Sequence, residues 1–234
     1  MKKSAILFFA ALLSITAMAQ NVQEGINHLY AERYASAKST FEKLLSANPN
    51  NLEATYWLGQ THLANDNIAA AKALYEKALV SNGNAPLVLV GMGHVELMEG
   101  KAGPARQRFD MAIANSRGKK GSDAIVLNAV GRANVMPYSD AKPIGDLDYA
   151  IAKLNEAVQI AGTSPDIFLT LGNAYRKKHN GGQAATAYLR AGNFAPAFYR
   201  AAMLYKTQTS YRQADSWGVV LENLNNAIKA DPRF

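Results

Sequence analysis

The 234-residue chain has no cysteine. Disulfides, thiolate metal sites, iron–sulfur clusters and thiol catalysis are thereby excluded. Beyond residue 19 no apolar run approaches the roughly 20 residues that a membrane-crossing helix needs. Charge of one sign is not concentrated anywhere. The net charge is +7, and without Lys2 and Lys3 it is +5, with 11 basic and 9 acidic groups over residues 20–120 and 12 and 9 over residues 121–234. A nucleic-acid binder gathers its basic groups on one face or segment, so this dispersion argues against nucleic acid as a partner. Signature motifs of catalysis are also missing. There is no nucleophile elbow, zinc-protease motif or phosphate loop. Gly91-Met92-Gly93 lies inside a helical pattern and lacks the strand and third glycine of a dinucleotide loop. His28 and His62 stand 34 residues apart, in adjacent structural units too far apart to share an ion at about 2.1 Å. Asp146 and Asp148 read as a helix start, and Arg176-Lys177-Lys178-His179 as the charged end of a helix, where cations are favoured. No catalytic residue, metal site or cofactor is expected.

What the chain does have begins with an address. Lys2 and Lys3 precede an apolar run from Ala5 to Ala17, and Ala17-Met18-Ala19 gives the small-x-small pattern of a signal peptidase site. Residues 1–19 are expected to be a cleaved secretory signal with Gln20 as the mature N-terminus. The mature protein would then be periplasmic or secreted, with no membrane span after cleavage.

The remainder repeats. Gly25, Gly59 and Gly93 are spaced 34 apart, as are Ala37, Ala71 and Ala105, and Phe41, Tyr75 and Phe109. Inside each unit the apolar and small residues recur at three- and four-residue steps, which places them on one helix face. Leu52 to Ala64 and Ile68 to Val80 read as two helices joined by the turn Asn65-Asp66-Asn67. These features resemble the tetratricopeptide repeat family, whose units carry an aromatic, Leu-Gly and Tyr in a first helix and Ala, an aromatic, Ala and Pro in a second. Phe168, Leu171, Gly172, Tyr175, Ala184, Tyr188, Ala191 and Pro196 match that pattern throughout. The resemblance implies an all-α fold, a right-handed superhelical α-solenoid of about six helix-turn-helix repeats over residues 20–234. The copies fall at 20–51, 52–85, 86–122, 123–164, 165–198 and 199–234. The fourth is irregular: Gly131 to Ala150 is 19 residues where regular copies have 12. The additional seven fall in residues 137–146, which include the aromatic Tyr138. Residues 117–121 lengthen the preceding connection.

Two short helices cannot bury their apolar faces alone, so units stack. Glycine and alanine at the crossings allow close helix approach, and Tyr75, Phe109 and Tyr188 are expected to fill the space between adjacent pairs. The resemblance also implies that first helices line the concave side. Unit positions 2, 5, 9 and 12 share a helix face. The candidate partner-binding residues there are Tyr56, Gln60, Leu63, Val90, His94, Leu97, Asn128, Arg132, Asn173 and Arg176. The apolar members would hold an extended or helical segment, and Arg132 and Arg176 a carboxylate. Alternatively these side chains only pack against neighbouring helices. The full Lys/Asn/Arg clamp that some family members use for terminal carboxylates is not present. In the last copy, Val220, Leu224 and Ile228 are expected to be exposed, making residues 217–234 a possible association surface for a partner or a second chain. Two functions follow: a non-catalytic protein- or peptide-binding scaffold of the bacterial cell envelope, or an assembly subunit of an envelope or secretion complex joined through its C-terminal end.

Overall fold

The computed structural model describes residues 22–118, 122–209 and 216–234; the expected signal segment and residues 119–121 lie outside them. Among the described residues there are helices and no β-strand. They run as α1 (22–30), α2 (Tyr34–Ala47), α3 (Leu52–Ala64), α4 (Ile68–Ser81), α5 (Pro86–Met98), α6 (Ala102–Asn115), α7 (Ala124–Val135), α8 (Leu147–Ile160), α9 (Pro165–Lys177), α10 (Gly181–Arg190), α11 (Ala195–Thr209) and α12 (Ser216–Ala230). Successive helices pack in consecutive pairs, as the repeat pattern predicts. Two compact units result, one ending at Asn82 and one spanning Gly83–Phe234.

Local chemistry sets the helix limits. Asn51, Asn67, Asp123, Asp146 and Asn180 each precede a helix and accept a hydrogen bond from a first-turn amide, satisfying a donor that has no partner inside the helix. Pro86 and Pro165 open α5 and α9, where a missing N–H costs nothing. The regular turns inside pairs are three residues long and share one device. Their central residues, Glu32, Asp66, Gly100 and His179, have φ of 58°, 55°, 79° and 57°. A single left-handed residue reverses the chain, and the first three recur at the 34-residue period.

The two helices of a pair differ in burial. From Val88 to Leu97 every residue of α5 is buried, and in α7 only Ile125 is exposed. The second helices bury a narrow stripe, such as Ala71 and Tyr75 in α4. In the larger unit α5, α7, α9 and α11 lie side by side, and α6, α8 and α10 each also touch the next first helix. A first helix therefore has neighbours on several flanks and must be apolar nearly all round.

The repeating glycines show how a pair closes. A Cβ on Gly25, Gly59, Gly93 or Gly172 would come within about 2.6 Å of Phe41, Tyr75, Phe109 or Tyr188, respectively. The aromatic thus sits on the glycine of its own pair, not in the space between adjacent pairs as the sequence suggests. The reason is steric: the missing side chain leaves a slot that a large apolar side chain from the partner helix fills. In the irregular pair Leu154 takes the ring's place over Gly131.

Candidate binding cleft

Eight of the ten residues expected to meet a partner are buried: Tyr56, Gln60, Leu63, Val90, His94, Leu97, Asn128 and Arg132. Asn173 is half-buried and Arg176 exposed. Most of these side chains are thus covered within the chain. In the first unit, the Tyr75 hydroxyl donates to the Tyr56 carbonyl at 2.8 Å and accepts from Gln60 Nε2 at 3.0 Å. In the second unit the Tyr188 hydroxyl donates to Asn173 Oδ1 at 2.9 Å. Where the ring over the glycine carries a hydroxyl, the residue after that glycine is an amide that satisfies it. Where the ring is Phe109, that residue is His94.

Arg132 is likewise engaged from within. Its guanidinium pairs with Asp166, which also accepts from the Asn128 amide. The carboxylate expected from a partner is supplied by position 2 of the next repeat, 34 residues on. Burial, and then the charge of Arg132, lower the pKa of His94 to about 4, so its imidazole is neutral near pH 7.

The insertion after α7 builds the most distinctive surface. It is tied at both ends. Lys177 Nζ donates to the carbonyls of Val135, Met136 and Tyr138 at 2.7, 3.0 and 2.6 Å. The first two are at the end of α7, where carbonyls lack helical partners and the dipole favours a cation. At the far end Gly145 has φ +90°, and a Cβ there would lie 2.2 Å from the Asn134 carbonyl oxygen. The Asp146 amide donates to Asn134 Oδ1 at 3.1 Å. Lys178 pairs with Asp148, and His179 Nε2 stands 3.2 Å from Asp140. The Arg176–His179 run does close α9, as its charge suggests, and three of its members also hold the inserted pair.

Between this loop, the end of α9 and the side of α11 lies a cleft of about 440 Å³. Tyr138, half-buried, forms part of one wall, and Met203 and Leu204 contribute apolar surface. Burial, then the neighbouring Arg176 and Arg200, pull the Lys177 pKa down to about 8. Three cations therefore crowd this corner, with Asp140 as the nearby acid. Of the expected site residues, only Arg176 lines the cleft. Among the described residues no three His, Asp or Glu side chains gather as metal ligands would, and no helix is long and apolar enough to cross a membrane.

The terminal helix also departs from expectation. Val220 is buried and Leu224 half-buried, because they turn toward the body of the unit, whereas Trp217 and Leu221 are exposed together with Ile228.

Comparison with known proteins agrees with this architecture. Residues 22–87 match the tetratricopeptide repeat family model. No curated protein sequence matches the chain. Among solved structures, the human IFIT1 dimer with PPP-AAAA is similar at TM-score 0.56 and 17% identity, covering 89% of this chain and 49% of that one. The Cut9–Hcn1 hetero-tetramer of the APC/C is similar at TM-score 0.51 and 17% identity, covering 93% and 41%. TTC0263, a thermophilic TPR protein of Thermus thermophilus, is similar at TM-score 0.50 and 15% identity, covering 92% of each chain. This chain thus spans about half or less of the first two. At such identities the likeness is one of fold: helix pairs arranged in series, as in tetratricopeptide repeat proteins. Proteins of that family are protein- or peptide-binding modules and are generally non-catalytic.

Proposed function

We propose that this chain is a non-catalytic interaction scaffold of the bacterial cell envelope that takes an acidic segment of a partner protein in the cleft between the α7–α8 insertion, α9 and α11. The observation that carries the reading is the crowding of Arg176, Lys177 and Arg200 beside apolar surface from Met203 and Leu204. Guanidinium groups present paired donors that suit carboxylate oxygens, and apolar surface alongside suits a flanking aliphatic or aromatic side chain. The envelope location rests on the basic start, apolar run and Ala17-Met18-Ala19 of the first segment. N-terminal sequencing of the protein recovered from its native host should begin at Gln20.

The binding test uses a fluorescently labelled peptide with several aspartates or glutamates and one aromatic residue, followed by anisotropy. Binding should weaken with added salt, since partly exposed charges are screened. The double variant Arg176→Glu, Arg200→Glu should weaken it about tenfold or more while the helical signal is unchanged. Equal binding by wild type and variant would refute the cleft as the site.

A further inference from the structure

We infer that the segment this cleft takes carries a basic residue beside its acid, and that Asp140 is the residue that selects it. The inference rests on the acidic-segment reading above and adds a second polar contact to it. The acidic and basic side chains on the cleft wall are Asp140, Arg176, Lys177 and His179. Two of them are spent inside the chain. An ammonium group has only three N–H donors, and Lys177 directs its own at the carbonyls of Val135, Met136 and Tyr138. It gives the cleft positive potential but no hydrogen bond to a ligand. His179 Nε2 lies 3.3 Å from Asp140 Oδ1 and 3.2 Å from Oδ2, so that ring nitrogen is taken up by the carboxylate. The nearby hydroxyls of Thr207 and Ser139 are engaged as well. Thr207 donates to the Leu204 carbonyl at 2.7 Å, and Ser139 Oγ accepts from the Lys142 amide at 3.1 Å. The charged groups on the wall left to meet a ligand are a guanidinium, Arg176, on the α9 side and a carboxylate, Asp140, on the loop side. Arg200 of α11 adds to the cationic side.

Asp140 is fixed where it stands. Ser139 and Lys142 exchange backbone hydrogen bonds at 3.1 Å in each direction, which makes Asp140 and Ala141 the centre of a tight turn. Just before that turn, Lys177 holds the Tyr138 carbonyl at 2.6 Å. Asp140 is close enough to Lys177 for its charge to favour the ammonium form. A carboxylate offers about four lone-pair sites, and one His179 N–H uses only part of that capacity. The Asp140 side chain is 69% exposed, so the rest is open to a donor from outside. A run of acids satisfies Arg176 but sets a like charge against Asp140. A segment with an acid and a lysine or arginine on either side of an apolar residue satisfies both, while the apolar residue meets Met203 and Leu204. Asp140 is thus the repulsive element that discrimination among acidic segments needs. Everything else charged in this corner would favour the opposite order, so the sign of the effect is diagnostic.

Anisotropy of the labelled acidic peptide with the full chain is repeated with single positions changed to glutamine or lysine. A cleft of uniform positive charge would rank Glu above Gln above Lys at every position. The expected result is a position, across the aromatic residue from the remaining acid, where Lys binds about threefold tighter than Gln, the size of a partly exposed ion pair. Asp140→Asn should remove that preference and Asp140→Lys should reverse it in favour of Glu, both with an unchanged helical signal. No position that favours lysine, a preference that persists in Asp140→Asn, or a ranking that Asp140→Lys does not reverse would each overturn the inference. The acidic-segment reading survives those results if Arg176→Glu with Arg200→Glu still weakens the parent peptide. Peptides that bind wild type and that double variant equally, or bind neither, would overturn both.

Discussion

Two neighbouring helix pairs of the larger unit reach the same contact by different routes. In α5/α6 a three-residue turn with Gly100 at its centre returns the chain, and Phe109 settles on Gly93. In α7/α8 seven additional residues intervene, and Leu154 settles on Gly131. Packing of the pair is therefore specified by the two helix faces and not by the length of chain joining them. Loop closure grows only slowly in cost with length, so the longer connection is tolerable, and Lys177 and Asn134 hold its ends. The regular turn is only a turn; the long one makes a wall of a cleft.

The largest expected effect tests whether the two contacts are equivalent. Phe109→Ala should cost about 3–5 kcal/mol and Leu154→Ala about 2–5 kcal/mol, by loss of burial and the cavity left behind. Both are measurable by chemical denaturation. A loss of less than half a kcal/mol in only one of them would show that the pairs close differently.

Next comes the seam between the pairs, where His94 of α5 feels Arg132 of α7. The folded pKa of about 4 lies below an unfolded value of about 6.5. The unfolded chain binds the proton more readily, so stability is fully present above pH 6.5 and declines as the pH falls toward 4. The loss is on the order of 3 kcal/mol. His94→Gln, which installs the residue found at matching position 60, should flatten that slope in urea titrations at several pH values. An unaltered slope would remove His94 as its source.

Gly145→Ala separates the pairs. It introduces a Cβ at a positive φ against the Asn134 carbonyl and should cost about 1–3 kcal/mol. Protease cleavage within residues 136–146 should rise, with none in the α5/α6 turn. The smallest effect carries the comparison into the other unit. Glu32 occupies the left-handed centre of the α1/α2 turn, where Gly100 sits in α5/α6. Glu32→Gly should raise stability by up to about 1 kcal/mol, read as a small increase in melting temperature.

The fold was legible because its signal repeats. Glycine at one position and an aromatic sixteen residues later, recurring at 34-residue spacing, report a contact that every regular pair makes. The candidate site was less legible because helical periodicity says which residues share a face and not what covers it. Gln60 and Asn173 look like groove residues until Tyr75 and Tyr188 are placed. Yet the pairing could be found in the sequence, since both tyrosines follow their amides by fifteen residues. Asp166 is also recoverable, standing one repeat length after Arg132. The cleft is not, because it depends on how a non-periodic loop folds back onto Lys177. On α12, Val220 and Leu221 are adjacent in sequence, and only the orientation of the helix decides which is covered.

The clamping of the insertion at Lys177 and Asn134 has a practical consequence. At its tip Ala141 and Lys142 are exposed, beyond the ties that Lys177 makes to Tyr138 and His179 to Asp140, so the tip can change while the tethered parts keep α7 and α8 in step. Foreign sequence spliced there would be displayed from a rigid mount, as a hypervariable loop is on an antibody domain, so new recognition can arise at this point without redrawing the helices that carry it.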